Sequence, residues 1–182
     1  MFPTLLRASA AFGLALVTVA CNAEGDARNV EPDPSIPPST NPDVQKLRQH
    51  IAELQTRPEK DEQRIEVAHI LISYAGAPRT QATLSMEEAE QLAAEIYQRA
   101  KQPDADFRAL MKEHSEDPGP GVYAMFMDPA ARQQGDFPRR GPGGMVPAFG
   151  DVGWRLSVGE IGVAGQHPQN SPFGWHIIQR VK

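Results

Sequence analysis

Five histidines and a single cysteine are the side chains of this sequence best suited to metal, nucleophilic or proton-transfer chemistry. No His-Glu-x-x-His or comparable paired-ligand spacing joins them, so a metal hydrolase is poorly supported and no metal site is expected. With one cysteine there is no internal disulfide, and the fold must rest on its core. His69 and His176 each stand in a β-prone run, Val67-Ala68-His69-Ile70-Leu71-Ile72 and Gly174-Trp175-His176-Ile177-Ile178. Strand alternation puts Val67, His69 and Leu71 on one face, and His176 with Ile178 on one face of the last strand. An isolated strand histidine is ordinarily a satisfied core residue. Met145 and Phe149, four apart, ordinarily pack a core, and Asp117 before Pro118-Gly119 ordinarily belongs to a turn or helix end. His50, His114 and His167 have no partner pattern and read as surface residues.

The elements that must position these groups follow from periodicity. Arg64 to Tyr74, rich in β-branched and aliphatic residues, predicts a strand. Ser85-Met86-Glu87-Glu88 is a capping box, and Leu92, Ala93, Ile96 and Ala100 line one face of a helix running to about Lys101. Asp104 or Asp106 caps a second helix with Phe107, Leu110 and Met111 as its buried stripe, and Asp117-Pro118-Gly119 ends it. Residues 118–135 are punctuated by glycine and proline and contain Tyr123, Met125, Phe126 and Met127, which predicts a long loop with an apolar patch. A short helix from Pro147 to Leu156, a turn at Ser157-Val158-Gly159-Glu160 and a closing strand over 174–181 complete an α+β domain with a small antiparallel sheet.

Upstream the composition changes. Arg7 and the uncharged stretch from Ala8 to Ala20 form an export leader over residues 1–21, too short to span a bilayer comfortably. Cys21 closes that stretch and resembles a lipobox cysteine, with Thr18 where leucine is usual, so lipidation at Cys21 and a membrane anchor in the cell envelope are expected. Residues 22–42 carry few aliphatics and repeated prolines, a disordered tether. A helix over 43–57 then presents Val44, Leu47, Ile51 and Leu54 as a narrow seam, fit to pack on the adjacent domain or, less readily, in a short intermolecular coiled coil. The folded domain is expected over 62–182. A net charge of −5 without a basic cluster argues against a nucleic-acid partner.

Several motifs occur in a fixed order: Val67-Ala68-His69-Ile70-Leu71-Ile72, Ser115-Glu116-Asp117, Gly135-Asp136, Gly144-Met145-Val146-Pro147-Ala148-Phe149, and Ser171-Pro172-Phe173-Gly174-Trp175-His176. Together they resemble the parvulin family of peptidyl-prolyl cis/trans isomerases over residues 64–181. The resemblance implies a four-stranded antiparallel sheet flanked by helices, with the two histidines on neighbouring central strands. It also implies rotation about X-Pro bonds in unfolded or exported polypeptides, without a cofactor. By family position His69, Asp117, Ser171 and His176 form the polar part of the site, and Phe137, Met145, Phe149 and Phe173 hold the proline. Three departures stand out. The stretch from Pro118 to Gln134 is longer than its family counterpart, Pro138 replaces a glycine, and Arg140 stands where an aromatic is common. The loop Tyr74 to Arg79 lacks the basic cluster of phosphate-directed parvulins, which argues against such substrates. A non-catalytic holdase on the same fold is the alternative.

Overall fold

The computed structural model describes residues 37–182. The expected leader, Cys21 and most of the expected tether lie outside the described residues. The first helix, α1 (Pro42–Thr56), starts where Pro42 occupies the first helical position and the Asn41 side chain accepts the Asp43 N–H. Strand β1 (Arg64–Ile72) follows. In α2 (Met86–Ala100) the Ser85–Glu88 capping box forms in both directions. Of the two candidate caps for α3 (Phe107–His114), Asp106 is the one used, accepting from the Arg108 and Ala109 N–H groups. Strands β2 (Val122–Phe126) and β3 (Phe137–Pro138), helix α4 (Pro147–Arg155), and strands β4 (Ile161–Ala164) and β5 (Trp175–Arg180) complete the chain.

The sheet runs β3-β2-β1-β5-β4. Its β2-β1-β5-β4 part is the antiparallel four-stranded sheet expected, and β3 adds two residues paired parallel to the end of β2. Strand β2 corrects the expectation of a long loop over 118–135. Its five residues are hidden between Gly121 and a 3-10 turn at Pro129–Ala131. They form a strand because the polar edge of β1 from Arg64 to Ala68 needs a partner, which Val122 to Phe126 provide residue for residue.

Two apolar clusters occupy the two faces of the sheet. Even-numbered residues of β1 (Ala68, Ile70, Ile72) join Trp175 and Ile177 of β5 beneath α1, α2 and α3. Odd-numbered residues (Ile65, Val67) join Ile178 beneath α4, whose Phe149, Val152 and Trp154 are buried there. This is the alternation read from the sequence, and it places both strand histidines on the α4 side. The α1 seam is satisfied within the chain. Val44, Leu47 and Leu54 are almost fully buried, and α1 packs on α2 and β4. Arg48 makes a two-pronged bond to the buried Glu90 of α2, at 2.7 and 2.6 Å, and Arg57 pairs with Glu160.

Helix α4 is held at its far end by a buried arginine. The Arg180 side chain is 2% exposed, and its Nη1 donates to the Gly153 and Leu156 carbonyls, both at 3.3 Å. A cation at a helix C-terminus meets carbonyls that the helix leaves unpaired.

Because α1 is part of the core, removing one of its seam residues costs as much as a core truncation. Leu54→Ala is expected to lower the unfolding free energy by about 2–5 kcal/mol, read as a lower urea midpoint with an unchanged slope.

Candidate active site

The register of β1 with β5 pairs His69 with Ile178 and Leu71 with His176. The two histidines are therefore diagonal neighbours on one face, close enough for their rings to meet. Their rings stack at 5.4 Å, and the two Nδ1 atoms lie 3.3 Å apart. Both are buried, His69 at 4% and His176 at 5% exposure.

Asp117 reaches them from the segment after α3. That segment lies along β1 beyond the point where β2 pairing ends. The Leu71 N–H donates to Ser115 Oγ, the Glu116 N–H to the Leu71 carbonyl, and the Ser73 N–H to the Glu116 carboxylate. So clamped, Asp117 receives the His69 Nε2 at 3.0 Å and the Tyr123 hydroxyl at 2.7 Å, both on Oδ2. Burial alone would raise its pKa. The bonds from His69 and Tyr123, the His69 charge and the Gly119 N–H outweigh that and hold it at about 2. Tyr123 is shifted upward by burial and by its bond to Asp117, so it remains a donor.

These states decide the tautomers. An ionised Asp117 only accepts, so His69 Nε2 carries a proton. Burial, reinforced by the neighbouring His69, drives His176 down to about 3, so it is neutral at pH 7. The two imidazoles share one hydrogen bond between their Nδ1 atoms. His176 Nε2 is buried with no partner among the described residues. A chain of hydrogen bonds thus runs from His176 through His69 to the carboxylate.

The apolar half of the site comes from α4 and β3. The Phe149 ring stands edge-on to both imidazoles, 4.9 Å from His69 and 5.4 Å from His176. Phe137 is 38% exposed and forms the rim. It is anchored by its neighbour Asp136, which takes two bonds from the Arg64 guanidinium of β1 at 2.7 and 3.0 Å. Met145 is half-buried against the same cluster as Phe149.

Two candidates sit apart from this group. Ser171 is fully buried, but its hydroxyl donates to the Gly174 carbonyl at 2.9 Å and makes no bond to either histidine. It shapes the turn that leads into His176. Phe173 lies on that same turn, where its carbonyl receives the Ser73 hydroxyl at 2.7 Å, and its ring makes none of the ring contacts around His69. The three histidines read as surface residues are engaged instead, His114 with Arg99 at 3.1 Å. His50 packs on Tyr97 at 4.8 Å with its Nε2 buried. His167 Nδ1 accepts from the Gln169 and Asn170 N–H groups, each at 3.1 Å. Tyr123 was missed because β2 was missed. The run Val122-Tyr123-Ala124-Met125-Phe126 carried the signal, a short β-prone stretch bounded by Gly121.

Comparison with known proteins identifies the family to which this domain belongs. The sequence profile described as the PPIC-type PPIASE domain matches residues 50–182. The chain belongs to the PPIC-type peptidyl-prolyl isomerase family. Among curated relatives, the chaperone SurA of Pseudoalteromonas atlantica is 36% identical over 122 residues, covering 64% of this chain and 24% of that protein. Foldase protein PrsA 4 of Bacillus cereus is 33% identical over 102 residues, 56% of this chain and 31% of that protein. The match therefore spans about a quarter to a third of those relatives' length. The peptidyl-prolyl isomerase ESS1 from Candida albicans superposes with a TM-score of 0.51 at 19% identity, covering 80% of each chain. At that identity the likeness is one of fold, and it agrees with the parvulin-like α+β architecture expected for this PPIC-type domain.

The buried, neutral His176 makes the domain acid-sensitive. The unfolded chain binds a proton at this residue near 6.5 and the folded chain only near 3, so stability falls as pH drops below 6.5. Asp117, depressed from 3.8 to about 2, adds a further loss below pH 3.8. Urea midpoints measured from pH 7.5 to 4 are expected to fall steadily, and His176→Leu is expected to flatten the profile between pH 6.5 and 4.

Proposed function

We propose that this chain is an exported enzyme that rotates X-Pro bonds in unfolded or proline-containing polypeptides. The observation that carries the reading is the convergence of an ionised Asp117, two buried imidazoles and an aromatic floor and rim on one face of the sheet. Membership of an isomerase family, and likeness to part of a chaperone and part of a foldase, support it.

The reaction breaks no bond. Amide resonance sets a barrier of about 18–20 kcal/mol, and each tenfold acceleration needs about 1.4 kcal/mol of preferential binding to the twisted amide. In this reading Phe137, Met145 and Phe149 grip the pyrrolidine ring, and Asp117 lies beside the rotating bond. Twisting returns electron density from the carbonyl oxygen to the prolyl nitrogen. A carboxylate near that oxygen therefore disfavours the planar amide more than the twisted one, which is differential stabilisation by a fixed charge. His69 and His176 orient and stabilise the carboxylate and transfer no proton. Phe173 and Ser171 act through the turn that carries His176, Phe173 flanking the bound chain and Ser171 holding the turn's shape.

The leader at 1–21 and the lipobox-like Cys21 support an anchored position in the cell envelope, with the stretch between Cys21 and α1 as the tether that lets the domain reach its clients. No cofactor and no nucleic acid enter this reading.

The deciding assay is the cis-to-trans relaxation of Ala-X-Pro-Phe peptides with residues 22–182. Wild type is expected to accelerate it, and Met145→Ala and Asp117→Ala to lower kcat/KM by roughly ten- to a hundredfold while remaining folded. A folded wild type that leaves every peptide at its uncatalysed rate sinks the catalytic reading and favours a holdase. Separately, expression of the full chain in a bacterial host is expected to yield a lipid-modified Cys21 at the mature N-terminus by mass spectrometry. The same preparation from Cys21→Ser is expected to lack that mass.

A further inference from the structure

Tyr123 touches both halves of the site. The register pairs it with Val67 of β1, two residues from His69 on the same face, and its ring meets the His69 ring edge-on at 5.3 Å. Its hydroxyl donates to Asp117 Oδ2, the same oxygen that His69 Nε2 engages. Oδ1 takes no side-chain bond among the described residues. The same ring stands edge-to-face with Phe137 at 5.5 Å and with Phe149 at 6.3 Å. A residue that merely filled the core would not need its polar end placed on the one ionised group of the site.

A second observation points the same way. The chain turns from Asp117 into β2 through Gly119-Pro120-Gly121. A Cβ on Gly119 would lie 1.9 Å from the Tyr123 hydroxyl oxygen and 3.2 Å from Asp117 Oδ2. Only a residue without a side chain lets that hydroxyl reach the carboxylate. Gly121 has φ +69, and a Cβ there would lie 2.6 Å from the Met111 sulfur. The corner is thus shaped to deliver Tyr123 to Asp117, and it belongs to the stretch that departs in length from the family pattern.

We propose that Tyr123 is a positioning residue of the isomerase site, whose hydroxyl fixes the Asp117 carboxylate against His69 and whose ring forms the wall between that carboxylate and the Phe137–Phe149 cradle. This rests on the isomerase reading above. The hydroxyl occupies Oδ2 and so leaves Oδ1 without a side-chain partner among the described residues.

Three variants of the 22–182 protein separate these roles. Tyr123→Phe removes only the hydroxyl. Gly119→Ala displaces that hydroxyl without altering Tyr123, and the displaced atom is the far end of a side chain, so the fold survives. Tyr123→Ala removes the wall as well. The readouts are kcat and KM on the peptide series and the 13C titration of the Asp117 carboxyl group. Tyr123→Phe and Gly119→Ala are each expected to lower kcat roughly three- to tenfold with KM nearly unchanged, and to raise the Asp117 midpoint by about one pH unit. Combined, they should do no more than the stronger one alone, since both break the same bond. Tyr123→Ala is expected to raise KM in addition. An active wild type whose Tyr123→Phe variant keeps both its kcat and its Asp117 midpoint overturns the positioning role and leaves the isomerase reading standing. An inactive wild type overturns the isomerase reading itself, and the carboxyl titration then still reports whether the Tyr123 bond holds Asp117 ionised.

Discussion

The pairing of β1 with β5 is the constraint on which the rest of this structure depends. It sets His69 and His176 diagonally on one face and leaves Ala68, Ile70, Ile72, Trp175 and Ile177 on the other. A slip of one residue in either strand would carry its histidine to the α1–α2 side and turn its apolar residues toward α4. Both faces are covered, so such a slip would bury polar groups among aliphatic ones and lose the fit of two cores. The register is thereby set by burial on both sides, and the position of the site follows from it.

Around that pair, polar clamps place groups that packing alone would leave adjustable. The segment Ser115 to Asp117 is bound along β1 by backbone and side-chain bonds, so the carboxylate arrives at a defined height above His69. The Arg64–Asp136 pair does the same for Phe137, and Arg180 for the end of α4. Burying such charges is costly unless every prong is matched. Here each cation is met by carboxylate or carbonyl oxygens, and what results is placement of the groups that line the site rather than stability as such.

Electrostatically the site combines two opposite responses to burial. Asp117 keeps its charge because donors converge on it, whereas His176 loses its charge because burial strips its hydration and its neighbouring ring is a second imidazole. The result is one fixed negative charge with a neutral, buried imidazole behind it. That suits a reaction in which charge is redistributed within an amide and no proton moves.

Much of this was legible in the chain itself, because helix caps, periodicity and strand alternation depend on neighbours only a few residues apart. The Ser85 capping box, the α1 seam, the faces of His69 and His176 and the ordered parvulin-like motifs are of this kind. Tertiary structure alone decided the matters that depend on residues distant in sequence. It buried the α1 seam within the same chain, because α2 and β4 present an apolar groove that no local pattern announces. It turned Val122 to Phe126 into a strand, because β1 had an edge to fill. It assigned Ser171 to the Gly174 turn instead of the histidines, and it brought Tyr123 to Asp117 through a corner that only glycine permits. Local sequence determined which elements form and which faces they bury; long-range pairing determined which polar groups meet, since hydrogen-bond partners are chosen by distance in space and not along the chain.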